Sequence, residues 1–205
     1  MSDPLSQFRP RSVLLLVSGP AGSGKTTLCD RMTAAYPEAL ERIVTCTTRA
    51  PRAGETDGTH YHFLTRDAFE AQVAAGEFLE YARVHSNLYG TRKREVLERL
   101  RAGRDLLLNL DVQGAALVRD AAKNDPLLSR ALTGIFIMPP SRDELRTRLA
   151  GRGTDADDEI ERRMTVAEDE MRRWREYDLC LVSSDRESDF DRIRAAYLAA
   201  KMRVS

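Results

Sequence analysis

Cysteine and lysine are both scarce in this chain of 205 residues. The three cysteines, Cys29, Cys46 and Cys180, are odd in number and form no C-x-x-C pair, which argues against a disulfide framework and against a zinc ribbon. We therefore expect a reducing, cytoplasmic location. Only 4 of the 32 basic residues are lysines and the other 28 are arginines, so a lysine within a motif is conspicuous.

Long apolar segments are also lacking. A run such as residues 13–17 is strand-sized, whereas a membrane-spanning helix needs about 20 apolar residues. Residues 1–11 are polar, contain two prolines and have no apolar core typical of a signal peptide. Acidic and basic residues balance at 32 each, which argues against a protein that coats nucleic acid. We expect no membrane partner and no nucleic-acid partner.

What the sequence does contain is an alternation of short apolar segments with amphipathic ones. Apolar segments at 12–18, 105–110, 133–138 and 179–182 predict strands, and helical patterns lie between several of them. A further short strand is predicted at 43–46. Such alternation favours an α/β fold with a parallel sheet covered by helices on both faces. Residues 49–89 break the rhythm, being richer in Gly, Thr, Tyr and His, and they indicate an inserted subdomain.

A phosphate-binding motif follows the first apolar segment. The sequence GPAGSGKT at 19–26 matches G-x-x-x-x-G-K-[ST], the P-loop. Glycines let backbone N–H groups surround phosphate oxygens, and the helix that follows adds its positive N-terminal end. We expect Lys25 to contact the transferred phosphate and the Thr26 hydroxyl to contact Mg²⁺. The predicted nucleotide-binding residues are Gly19, Pro20, Ala21, Gly22, Ser23, Gly24, Lys25, Thr26 and Thr27.

A second phosphate site is indicated by two arginines on one short loop. Arg49 and Arg52 are three residues apart in TTRAPRAGE (47–55), where proline and glycine restrict the backbone. Two guanidinium groups held in this way suit a phosphate dianion. Tyr61 and Tyr89 offer hydroxyl donors. From residue types alone, a solvated basic turn remains the alternative.

Taken together, seven segments in order resemble guanylate kinase and cover the chain from residue 12 to about 197. The segments are SGPAGSGKT (18–26), TTRAPRAGE (47–55), GEFLE (76–80), NLYGT (87–91), LDVQG (110–114), MPPS (138–141) and GRGT (151–154). The resemblance implies transfer of a phosphoryl group from ATP to GMP with Mg²⁺, and dGMP as a second acceptor. It also implies a P-loop core (1–46, 93–141 and 178–205), a GMP-binding subdomain (47–92) and a helical lid (142–177).

The resemblance assigns roles to individual residues. For the GMP phosphate it implies Arg49, Arg52, Tyr61 and Tyr89, and for guanine it implies Thr45, Glu80, Thr91 and Asp111. The chemistry of Glu80 agrees independently, because a carboxylate only accepts hydrogen bonds and guanine presents two adjacent donors at N1 and N2. Adenine presents an acceptor at N1 and would be repelled.

The lid is expected to supply arginines to the ATP phosphates. Arg148 and Arg152 are four residues apart and share a helical face, and Arg163 follows on the next helix. With Lys25 and Arg49, these three arginines make up the predicted catalytic set. Charge in the transferred group spreads over three oxygens, which is why several cations are needed there.

Two positions depart from the usual pattern of the family. Asn109 stands where these kinases usually have an aspartate, which removes a negative charge near Mg²⁺. The segment SSD (183–185) replaces the usual Asn-Asp-Asp after the last strand, where the resemblance implies the adenine pocket.

Three other functions stay open at this point. A binding module related to guanylate kinase would have a degraded P-loop, whereas Lys25 and Thr26 are intact. A kinase for a phosphorylated ribose would not need the carboxylate of Glu80. A switch GTPase would need an N-K-x-D-type string, which this sequence lacks.

Overall fold

The computed structural model describes residues 11–84, 86–151 and 157–204. The strands are β1 (Leu14–Ser18), β2 (Leu40–Arg42), β3 (Cys46–Thr47), β4 (His62–Phe63), β5 (Phe78–Val84), β6 (Asn87–Arg92), β7 (Asp105–Asn109), β8 (Leu132–Met138) and β9 (Leu179–Val182). The helices are α1 (Lys25–Ala35), α2 (Arg66–Ala74), α3 (Lys93–Arg101), α4 (Val112–Lys123), α5 (Pro126–Ala131), α6 (Arg142–Ala150), α7 (Asp157–Met171) and α8 (Arg186–Lys201). None of these helices is both long and apolar enough to cross a membrane.

The main sheet has five parallel strands in the order β2-β7-β1-β8-β9. All five residues of β1 are buried, because the strand lies in the centre with helices on both sides. Leu15 and Val17 pack with α1 and α8, while Leu14 and Leu16 face α3 and α4. The predicted α/β fold with a parallel, doubly covered sheet is confirmed.

A smaller, mixed sheet lies between Cys46 and Arg92, with the order β4-β3-β6-β5. Strands β3 and β4 are parallel, and the other two pairs are antiparallel. Phe69 of α2 is fully buried beneath this sheet and stacks on Phe78 at 4.4 Å between ring centroids. The segment therefore has a small hydrophobic core of its own.

Helices α6 and α7 form a third layer beside the P-loop. Ser141 caps α6 by accepting a hydrogen bond from Glu144 N, and the two helices share an apolar core that includes Leu145, Leu149 and Met164. A Cβ built at Gly22 would lie 3.1 Å from Leu145 Cδ1, so α6 packs directly on the phosphate loop.

The prediction of one strand at 43–46 was wrong. Leu40–Arg42 joins the main sheet beside β7, and Cys46–Thr47 joins the smaller sheet, so the residues between them connect the two sheets. The sequence reading also omitted β6, α4 and α5. Asp111 is the N-cap of α4, and its side chain accepts a hydrogen bond from Gly114 N. An aspartate is a common N-cap residue, so this signal was present in the sequence.

Candidate active site

The phosphate loop joins β1 to α1 in a conformation that only glycine accommodates well. Gly19 has φ 142°, and a Cβ there would lie 2.4 Å from the Ile137 carbonyl oxygen. Gly24, at the N-cap of α1, has φ 93°. Lys25 Nζ donates to the carbonyl oxygens of Gly19 and Pro20 at 2.6 and 2.8 Å. The ammonium group therefore lies over the loop, with backbone N–H groups and the positive end of α1 close by.

Asn109 connects this loop with a second pocket. It ends β7, directly beside Val17 of β1, and its Nδ2 donates to Thr26 Oγ1 at 3.3 Å. The same side chain lines a pocket of about 260 Å³ between the two sheets. The P-loop threonine and this pocket are consequently neighbours.

The pocket gathers most of the residues predicted to bind guanine and the acceptor phosphate. It is lined by Thr45, Tyr61, Glu80, Ala82, Val84, Tyr89, Gly90, Asn109, Leu110, Asp111 and Gly114. Thr91 lies behind Glu80 and is fully buried. Strands β5 and β6 position Glu80 and Thr91, which are paired in register.

Glu80 is the most unusual charged group in the pocket. Only 5% of the residue is exposed, and its Oε1 accepts a hydrogen bond from Thr91 Oγ1 at 2.7 Å. Burial raises the pKa of Glu80 to about 7, and the nearby charge of Asp111 adds to that rise. The pocket thus holds a carboxyl group whose ionised form would be favoured by the N–H donors of a ligand.

The predicted arginine pair is organised by a third residue, Glu55. Arg49 Nη2 donates to Glu55 Oε1 at 2.8 Å, and the Arg52 backbone N–H donates to Glu55 Oε2 at 2.7 Å. These two hydrogen bonds lower the pKa of Glu55 to about 2, and the bond from Arg49 has the larger effect. The bond to Glu55 in turn raises the pKa of Arg49, whose guanidinium lies 5.4 Å from the Tyr61 ring centroid. The role of Glu55 was missed, although it ends the TTRAPRAGE motif.

Another pocket, of about 430 Å³, adjoins the P-loop and α6. Arg148 and Thr27 both line it, and Arg148 Nε donates to Glu144 Oε1 at 2.9 Å. Arg163 is half-buried on α7, whereas Arg152 lies outside the described residues. Two lining residues that the sequence did not suggest, Arg31 and Arg186, are linked by a 2.6 Å hydrogen bond from Arg31 Nη1 to the Arg186 carbonyl.

The segment that departs from the family pattern forms one wall of this pocket. Ser183 Oγ donates to Asp189 Oδ2 at 2.7 Å, and Ser184 N donates to Asp189 Oδ1 at 2.8 Å. Asp189 is 9% exposed. The two serines therefore hold the turn before α8 through this carboxylate.

Comparison with known proteins adds to this geometry. The family model described as guanylate kinase matches residues 11–199. The chain is 40% identical over 203 residues to a guanylate kinase of Paramagnetospirillum magneticum, covering 99% of this chain and 92% of that protein. It is 44% identical over 191 residues to that of Nitratidesulfovibrio vulgaris, covering 93% and 88%. A crystal structure of guanylate kinase from Anaplasma phagocytophilum superposes with a TM-score of 0.74 at 29% identity, covering 96% of this chain and 89% of that one.

Proposed function

Because the chain belongs to the guanylate kinase family, we propose that it transfers the γ-phosphoryl group of ATP to GMP between its two neighbouring pockets. The products are ADP and GDP, and dGMP is a second acceptor. The main observation in support of this function is the buried carboxylate of Glu80. It lines a pocket that reaches the P-loop through the hydrogen bond between Asn109 and Thr26. Such a carboxylate provides the base recognition that a generic P-loop lacks.

Guanine recognition is assigned to the closed end of the acceptor pocket. When ionised, Glu80 accepts hydrogen bonds from N1–H and from the N2 amine of guanine. Thr91 holds the other side of that carboxylate through its 2.7 Å hydrogen bond, and Thr45 and Asp111 line the same pocket. An adenine base would place its N1 lone pair against the carboxylate, so AMP is disfavoured.

The acceptor phosphate is assigned to the arginine loop, which adjoins the pocket where Arg49 lies beside Tyr61. Arg49 and Arg52 supply guanidinium donors, and Tyr61 and Tyr89 supply hydroxyl groups. Glu55 keeps Arg49 and the backbone of Arg52 in place before the substrate arrives, which lowers the entropic cost of binding. The phosphate needs no general base, because its second pKa of about 6 leaves it mostly dianionic at neutral pH.

The donor phosphates are assigned to the P-loop and the lid. Backbone N–H groups at 19–27 surround the phosphates, and Lys25 neutralises charge on the group in transfer. Arg148 approaches from α6, on the side where that helix packs on Gly22. We assign Arg163, and Arg152 outside the described residues, to the same cationic set.

The P-loop also suits a magnesium ion that arrives with the nucleotide. Mg²⁺ bound to phosphates keeps several waters and needs only one or two protein ligands, and the exposed hydroxyl of Thr26 provides one. Among the described residues, no cluster of three or more His, Cys, Asp or Glu side chains forms a separate metal site. The ion would neutralise charge on the donor phosphates. Asn109 contacts Thr26 by a hydrogen bond and adds no charge.

Replacing Asn109 with aspartate is expected to change the dependence on magnesium. The carboxylate would accept a hydrogen bond from Thr26 Oγ1 and bring a negative charge to the P-loop, so half-maximal activity should need less Mg²⁺. The measurement is a magnesium titration of kcat at saturating ATP and GMP, with Asn124→Asp at the end of α4 as the control. Superimposable titrations of Asn109→Asp and the unaltered protein would show that the charge at this position is irrelevant.

The reaction itself is tested by coupling ADP release to a spectrophotometric signal with four acceptor conditions: GMP, AMP, ribose 1,5-bisphosphate and no acceptor. Of the four conditions, only GMP is expected to give rapid turnover. ADP release without an acceptor would indicate an NTPase, and turnover with the ribose would indicate the related kinase. GMP binding without turnover would indicate a binding module, and each of these three results contradicts the proposal.

A further inference from the structure

Gly114 lies directly against the carboxylate of Glu80. It is a buried residue in the first turn of α4, and a Cβ built there would lie 3.0 Å from Glu80 Oε2. The same Cβ would lie 3.4 Å from Asp111 Oδ1. Gly114 is not among the residues with positive φ, so its backbone is one that alanine adopts readily. The space, and not the backbone conformation, requires glycine at this position.

Glu80 cannot withdraw from that contact without giving up others. Its Oε1 is held by Thr91 Oγ1 at 2.7 Å, and only 5% of the residue is exposed. Asp111 is held as well, because its Oδ1 accepts the Gly114 N–H at 2.7 Å and caps α4. A methyl group at position 114 would therefore crowd the Glu80 carboxylate, whereas Asp111 would be in ordinary van der Waals contact with it.

The direction of the missing side chain matters too. Cβ atoms of a helix tilt toward its N-terminus, which here is the end of α4 at Asp111. A side chain at 114 would enter the gap between Glu80 and the start of the helix. With glycine, this gap stays open and the Glu80 carboxylate lies against the first turn of α4.

We propose that Gly114 is a positioning residue for guanine recognition, because its missing side chain leaves the space in which the Glu80 carboxylate is seated. The inference rests on the proposed function, since it concerns how the acceptor base is read. A side chain at this position turns the carboxylate away from N1 and N2 of guanine.

The test is Gly114→Ala with full kinetics. KM for GMP is expected to rise about tenfold, because at least one charge-assisted hydrogen bond to the base is lost. KM for ATP is expected to stay constant, since the P-loop is untouched. The melting temperature is expected not to fall, since alanine has the higher helix propensity and offsets the local crowding.

Three further single variants and one double variant separate positioning from packing. Leu117→Ala, on the exposed face of the same helix, should leave both KM values unchanged. Gly90→Ala should lower the melting temperature, because its Cβ would lie 2.8 Å from Phe78 Cδ1 within the small core. Glu80→Asp shortens the carboxylate and makes room for a methyl group. The double variant Glu80→Asp/Gly114→Ala should therefore be less impaired than the product of the two single effects.

The outcomes distinguish this inference from the proposed function. If the unaltered protein shows no preference for GMP over AMP, the proposed function fails and the inference fails with it. If the unaltered protein prefers GMP but Gly114→Ala keeps its KM for GMP, the inference alone is overturned. It is also overturned if KM for ATP rises in parallel, if the melting temperature drops as in Gly90→Ala, or if the aspartate variant gives no rescue.

Discussion

Replacing Lys25 with alanine is expected to reduce phosphoryl transfer by about 10²–10³-fold or more while leaving GMP binding nearly intact. Groups that stabilise charge developing in the transition state have effects of this size when they are removed. Lys25 Nζ lies over the carbonyl oxygens of Gly19 and Pro20, where the donor phosphates are expected. The acceptor pocket is built by β5, β6 and the start of α4. The two measurements are kcat by ADP release and the Kd of GMP by calorimetry.

Two comparisons isolate the charge of Lys25 from its packing. Lys25→Met keeps an apolar stem of similar length and should be as inactive as Lys25→Ala, since the ammonium group is what acts. Lys123→Ala removes a lysine whose side chain is 73% exposed and should be fully active. If calorimetry gave a loss of GMP affinity equal to the loss of rate, the division into donor and acceptor sites would be wrong.

The parts of the molecule that the sequence predicted are those dictated by local chemistry. The P-loop motif follows an apolar strand and opens a helix because glycines, lysine and a helix N-terminus are all needed within a few residues. The buried strand β1 was recognisable from its unbroken apolar run. The assignment of Glu80 depended on family resemblance, since a single glutamate within a strand has no distinguishing local pattern. The residue roles and the three-part division of the chain stay predictions.

Several features that were not predicted from the sequence depend on contacts between distant segments. Arg31 reaches Arg186 across 155 positions, and the two serines at 183 and 184 are held by Asp189 through the turn that leads into α8. Helix α4 was not predicted, although the sequence carries its signals: Asp111 as N-cap, and Ala115, Val118 and Ala122 at helical spacing on the buried face. The close approach of Gly114 to Glu80 depends on how α4 packs on β5. No one-dimensional pattern encodes that distance.

Replacing Glu80 with glutamine is expected to lower kcat/KM for GMP at least tenfold and to change that for AMP little. The amide has almost the same shape, but it can present oxygen to only one of the two guanine donors. Hydrogen bonds to charged groups contribute about 1.5–3 kcal/mol each, which sets the size of the loss. The value for AMP changes little because AMP does not form these hydrogen bonds with Glu80. The control is Glu98→Gln, the same change on the exposed face of α3, which should leave both substrates unaffected.

The same substitution is expected to stabilise the fold at alkaline pH, which separates a loss of recognition from a loss of folding. Burial raises the pKa of Glu80 from 4.5 to about 7, so the folded protein binds more protons than the unfolded chain over this interval. The contribution of Glu80 to stability is therefore present below pH 4.5 and is lost as pH rises through 7. The cost at pH 8 is of the order of 3 kcal/mol, and glutamine does not incur it.

Unfolding by urea at pH 8 should thus show Glu80→Gln as more stable than the unaltered protein, and the difference should shrink toward pH 5. The hydroxyl of Thr91 can still donate to the amide oxygen, so that hydrogen bond survives the change. If Glu80→Gln is more stable at pH 8 and has a lower kcat/KM for GMP, the result indicates that the carboxylate contacts the base. If GMP and AMP lost activity in parallel, or if stability at pH 8 fell, Glu80 would instead be a structural residue and the acceptor site would have to be assigned elsewhere.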